Sequence, residues 1–160
     1  MGRIGIHCRP LIFGSRAMTE SPELTEIRQS VRQLCQRYGE DYWLALDTDR
    51  GYPTEFVQEL TESGFLTVLI PEEYGGAGLG VLEASVVMEE VCRSGAHAGA
   101  CHAQMYVMGS VLRHGSEAQK KHYLPKVAAG ELRLQSFGVT EPTTGTDTTS
   151  LKTIAKRDGD

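Results

Sequence analysis

A chain of 160 residues, 40% hydrophobic and 23% charged, can bury one core of ordinary size and does not have the composition of a disordered protein. Its net charge of −5 opposes nonspecific binding to nucleic acid or to an acidic membrane surface. Its longest apolar stretch, residues 65–70, is far shorter than the roughly 20 residues that span a bilayer.

Residues 1–17 carry Arg3, Arg9 and Arg16 and no acid. This suits either a mitochondrial-type transit peptide or a start assigned upstream of Met18. The segment is short and poor in serine, which favours the upstream start. Residues 1–18 are therefore expected to be an extension, and the location cytoplasmic; a transit peptide would instead place the protein in the mitochondrial matrix. Cys8, Cys35, Cys92 and Cys101 form no Cys-x-x-Cys pair, as suits reduced thiols.

The first predicted helix covers 21–39. Ser21 stands at the N-cap, Pro22 at the first helical position, and Leu24, Ile27, Val31, Leu34, Cys35 and Tyr38 recur at spacings of three and four. Tyr42 and Trp43 are expected to dock a linker, and residues 47–53 to form a loop. Asp47 and Asp49 lack the distal carboxylate of a calcium loop. Thr54 is expected to cap a second helix, with Phe56, Val57 and Leu60 inside and Gly64 after it. A buried run follows at 65–70. It is closed by Pro71 and by Gly75, Gly76 and Gly78, without the later glycine or ribose-binding acid of a dinucleotide fingerprint.

A third helix is expected over 81–92 and a fourth, rich in small residues, over 94–115. On the latter, Ala98, His102 and Met105 align at i, i+4 and i+7, with Cys101 beside them. Cys92, His97, Cys101 and His102 show no spacing of a closed zinc site, so no metal ligand is assigned. Ser116 is expected to cap the next helix, with Glu117 in its first turn. Residues 134–141 then alternate raggedly as a strand, which Pro142 ends. A loop rich in hydroxyls follows, and its Gly145 allows close backbone approach. Residues 151–156 alternate as a second strand. Two strands are not a stable sheet, so this part is expected to be incomplete.

The segment from Phe137 to Asp147 resembles the flavin-binding signature of the acyl-CoA dehydrogenase family. Val139, Thr140, Glu141, Pro142, Gly145 and Asp147 match outright. Phe137 stands where the family often has tyrosine, Thr144 where it often has alanine, and Thr146 where it usually has serine. Two further runs carry the resemblance: Pro71-Glu72-Glu73-Tyr74-Gly75-Gly76, and Gly115 with Gln119, Lys120, Tyr123, Leu124 and Pro125. It extends from about Glu23 to the end of the chain.

The resemblance implies a mainly α fold: the family's amino-terminal helical domain over 19–132, followed over 133–160 by the truncated first strands of a β-barrel-like middle domain. It implies FAD as cofactor, with Phe137, Gly138, Val139 and Thr140 along the isoalloxazine and Gly145 and Thr146 at the pyrophosphate. Thr146 also lies near the acyl-CoA, and Ala98, Cys101, His102 and Met105 shape the acyl cavity. The implied reaction is α,β-dehydrogenation of an acyl-CoA thioester to the trans-2-enoyl-CoA. Electron-transfer flavoprotein is the implied acceptor and a homotetramer the implied assembly. No residue here is a candidate for the family's glutamate base, so the chain alone is expected to be inactive and to hold little FAD. Two alternatives stay open: a non-catalytic helical interaction module of the same fold, and a related acyl-CoA oxidase or flavin monooxygenase.

Overall fold

The computed structural model describes residues 20–159, and the expectations for residues 1–18 lie outside them. Six helices follow one another: α1 (Pro22–Cys35), α2 (Glu40–Asp49), α3 (Thr54–Glu62), α4 (Val81–Arg93), α5 (Gly99–His114) and α6 (Glu117–Ala128). The mainly helical fold is as expected. α1 begins as its sequence dictates, with the Leu24 N–H donating to the Ser21 hydroxyl at 3.3 Å. It ends at Cys35, four residues before the expected glycine.

α1 packs along α4. Arg28 and Arg32 of α1 both reach Glu90 of α4, at 2.6 and 3.0 Å. Glu90 is only 2% exposed. A carboxylate this buried needs hydrogen-bonded partners, because its desolvation is otherwise prohibitive. Arg28 also holds Glu20 at 2.8 Å and Glu89 at 3.0 Å, so one guanidinium joins three carboxylates.

Residues 40–49 form a helix where a linker was expected. None of its residues is buried and Leu44 is largely exposed, so no apolar stripe marked it. Its first turn is anchored instead. The Trp43 indole N–H donates to the Tyr38 carbonyl at 2.9 Å, and Trp43 meets Phe56 edge to face. Arg50, in the left-handed region at φ 53°, ends α2. Thr54 is not a cap: Pro53 holds the N-cap position, and the Thr54 hydroxyl donates back to the Tyr52 carbonyl.

The run at 65–70 folds into tight turns that bury Leu66, Val68 and Ile70. The glycines after it serve packing. A Cβ on Gly76 would lie 2.1 Å from the Ile70 carbonyl oxygen. The Gly78 and Leu79 N–H groups return to the Ile70 and Val68 carbonyls at 2.8 and 2.7 Å. α5 starts at Gly99, later than expected, because Gly95 turns the chain at φ 79°. Ser116 and Gln119 form a reciprocal capping box at the start of α6.

Two cores result. One joins α1, α3, α4 and the first turns of α5; the other gathers Ile70, Tyr74, Met108, Leu124 and Val127. Residues 134–141 and 151–156, expected as strands, form no ladder among the described residues. A lone antiparallel bridge pairs Glu141 with Thr144. A strand needs a neighbour for its N–H and C=O groups, and none of the described segments lies alongside to provide one.

Candidate functional site

The chain leaves α6 through Gly130, at φ 75°, with the Glu131 and Leu132 N–H groups returning to the Lys126 carbonyl at 2.9 and 3.1 Å. Leu132 and Leu134 pack on the second core. Arg133 reaches the Thr61 hydroxyl at 3.4 Å. Gln135 donates through Nε2 to the Tyr52 hydroxyl at 2.7 Å and to the Ala100 carbonyl at 3.0 Å. These contacts lay residues 132–137 across the helices and deliver Phe137 to the open side of α5. There its ring stacks on Tyr106, centroids 5.1 Å apart and planes 26° apart. His102 meets the Tyr106 ring edge to face at 5.0 Å.

Beyond this stack the backbone is open. Phe137, Gly138 and Thr140 are exposed, and Val139 is half-buried. Among the described residues, no hydrogen bond engages the backbone of residues 137–140. A Cβ on Gly138 or Gly145 would meet nothing within 4 Å. A row of unpaired amides beside a flat aromatic ring and the Thr140 hydroxyl offers donors, acceptors and a stacking surface together. A planar heterocycle with carbonyl oxygens and ring nitrogens at its edge matches that donor set.

The loop that follows is ordered by two carboxylates. Glu141 accepts the Lys152 N–H on one oxygen and the Thr153 N–H on the other, both at 2.8 Å. Hydrogen bonds from Thr153, then from Lys152, hold its carboxyl below the usual carboxylate range. Asp147 accepts the hydroxyls of Ser150 and Thr149 and the Thr149 N–H. The Ser150 hydroxyl first, then that of Thr149, keeps the Asp147 carboxyl low. Both groups are therefore poorly suited to take a proton. At the loop tip Gly145 and Thr146 are exposed, and their N–H groups have no acceptor among the described residues.

The four positions expected to shape an acyl cavity do not share one surface. Ala98 is half-buried in the turn before α5, and His102 is exposed on the face that carries Tyr106. Cys101 and Met105 point into the first core. Burial pushes the Cys101 thiol up to about 12. Near the start of α5 lies an open cleft of about 830 Å³, lined by Trp43, Tyr52, His97, Gly99, Ala103 and Gln135 among others. Its volume is in the range of small-molecule sites. Tyr106 escaped the sequence reading; the signal was an aromatic one turn beyond His102, where i and i+4 share a face. Among the described residues, no three His, Cys, Asp or Glu side chains gather as a metal site would require.

Residues 21–131 match the family model described as acyl-CoA dehydrogenase, N-terminal domain. The chain is 36% identical over 141 residues to the acyl-CoA dehydrogenase FadE12 of Mycobacterium tuberculosis, covering 88% of this chain and 36% of that protein. It thus spans little more than a third of that relative's length. The structure resembles that of a glutaryl-coenzyme A dehydrogenase in complex with glutaryl-CoA, with a TM-score of 0.70 and 36% identity over 82% of this chain and 34% of that one. It also resembles an acyl-CoA dehydrogenase from Bacillus anthracis complexed with FAD, with a TM-score of 0.73 and 30% identity over 84% of this chain and 23% of that one. With a family model matched over more than half of its residues, this chain belongs to the acyl-CoA dehydrogenase family.

Proposed function

We propose that this chain forms the helical amino-terminal domain, over 19–132, and the flavin-contacting start of the next domain, over 133–160, of an FAD-dependent acyl-CoA dehydrogenase. The observation that carries this reading is the open backbone of residues 137–140, stacked through Phe137 on α5, in a chain of this family. FAD, when bound, would accept the hydride lost from the β-carbon as an acyl-CoA thioester becomes the trans-2-enoyl-CoA. Phe137 and the Thr140 hydroxyl would orient the flavin ring, with the amides of Gly138 and Val139 at its edge. Gly145 and Thr146 would face the pyrophosphate, and Thr146 the acyl-CoA as well. Ala98 and His102 would border the acyl group at the start of α5, with Cys101 and Met105 supporting that wall from inside. No residue of the chain is assigned as the base, because Glu141 and Asp147 are held by donors of their own loop.

The reading extends to acyl-CoA as substrate, electron-transfer flavoprotein as acceptor, a homotetramer as assembly and the cytoplasm as location. The glutaryl-CoA and FAD named for the two solved relatives support an acyl-CoA substrate and an FAD cofactor, and the acceptor, assembly and location follow from the family resemblance alone. Among the described residues, no helix is long and apolar enough to cross a membrane.

Binding slows the tumbling of FAD and raises the anisotropy of its fluorescence, which gives a direct test. Added to FAD, the wild-type chain is expected to raise the anisotropy weakly but saturably, and Phe137→Ala to remove most of that rise. An equal rise with both proteins, or none with the wild type, would count against the site.

A further inference from the structure

Glu141 lies where the extended segment ends, and its carboxylate has a task that Pro142 does not explain. Its backbone pairs with Thr144 in both directions, at 2.9 and 3.2 Å, which closes the turn 141–144. Its side chain then reaches 11 and 12 residues along the chain to take the N–H groups of Lys152 and Thr153, one on each oxygen. These two amides have no other acceptor among the described residues. Hydrogen bonds to an ionised carboxylate are about twice as strong as neutral ones. Two of them to consecutive amides fix direction as well as distance.

Inside the closed loop the pattern repeats. Asp147 takes the Thr149 and Ser150 hydroxyls, and the Thr144 hydroxyl donates to the Asp147 carbonyl. Both carboxylates are thus turned onto donors of the loop itself. The free N–H groups of Gly145 and Thr146 remain at the exposed tip.

We infer that Glu141 is a positioning residue: its carboxylate stands in for a sheet partner, pins the return segment at Lys152 and Thr153, and so holds the loop that presents Gly145 and Thr146. The clamp is a property of this chain, whereas its use in holding the pyrophosphate of a dinucleotide rests on the flavin reading above. Asp147 orders the interior of the loop but does not bridge its two ends. The two acids of the motif therefore have separate structural tasks, neither of which is proton transfer.

The test is residue-resolved amide hydrogen exchange by NMR on the 160-residue chain, comparing wild type, Glu141→Ala and Glu141→Gln, with FAD then titrated into each sample. In the wild type, Lys152 and Thr153 are expected to be protected relative to their free-peptide rates. Glu141→Ala should lower protection at both by about tenfold, as expected when a local bond is lost without global unfolding. Glu141→Gln keeps one acceptor oxygen, so it should restore protection at one of the two amides only. Unchanged exchange at α1 to α6 confirms that the variants are folded. On titration, the FAD-induced shifts at Gly145 and Thr146 should shrink in Glu141→Ala and persist in Lys152→Ala, whose N–H remains. Equal protection in wild type and Glu141→Ala overturns the clamp. Lost protection with undiminished FAD shifts overturns the positioning role. A wild type that shows no FAD shift counts against the flavin reading, and with it the positioning role, while the exchange data still decide the clamp.

Discussion

Glu90 shows how far a single residue can escape prediction. Helical periodicity puts Val86, Val87 and Val91 inside α4, but nothing in that pattern explains a buried acid among them. Its partners lie 58 and 62 residues earlier, on α1, so the reason is tertiary. Hydrogen bonds from Arg32 first, and Arg28 with it, hold the Glu90 carboxyl below its ordinary 4.5, against burial, which pushes it up. The sign follows from a folded value lower than the unfolded one. Stability from Glu90 is fully present above the ordinary value and is lost as pH falls through the folded value. Glu90→Gln is expected to cost about 2 kcal/mol at pH 7, less than a fully buried pair would because both arginines are partly exposed. It should also flatten the loss of stability below pH 4.5. Urea unfolding of both proteins from neutral to acid pH checks this; parallel curves would show that Glu90 does not set the acid limb. At the same scale, Phe137, Thr140 and Thr146 belong to a sequence motif, which is what proposes them for the site. Tyr106 belongs to no such motif, and its stack depends on how residues 132–137 cross α5.

Among the elements, legibility followed the local signals. Ser21 with Pro22 and Ser116 with Glu117 announced α1 and α6, and the structure uses both serine caps, Gln119 completing that of α6. α2 carried only an acidic first turn, Glu40 and Asp41, since it turns no apolar stripe inward. Residues 134–141 and 151–156 have a strand period but no ladder among the described residues, because alternation encodes a face and not a neighbour. The glycine-rich run after Pro71 was legible as structural, and its packing gives a sharp test. A Cβ on Gly76 would collide with the backbone at Ile70, which cannot swing aside as a flexible side chain would. Gly76→Ala is expected to lower stability by about 3 kcal/mol or more. Gly138→Ala, with open space around the added carbon, should leave thermal unfolding unchanged and so serves as the control. Equal melting temperatures for the two variants would contradict the packing role of Gly76.

For the whole molecule, the mainly helical fold was readable because three separated motifs agreed on it, and residues 21–131 match the family's amino-terminal domain. The chain spans 36% of the length of the FadE12 relative. Phe137 stacks on Tyr106 of α5, and residues 137–140, whose backbone is unpaired among the described residues, lead from that stack into the loop held by Glu141 and Asp147. The four positions expected to form an acyl wall divide between the core and the surface. Spacing on a helical wheel cannot tell the face that meets the core, where Met105 and Cys101 lie, from the face that meets a ligand. The most direct test of the proposed site is an amide-resolved NMR titration of the 160-residue chain with FAD, a method that registers weak binding. The expected result is that shifts concentrate at residues 137–140 and at Gly145 and Thr146. Shifts absent there, or centred on the cleft lined by Trp43 and Tyr52, would contradict it.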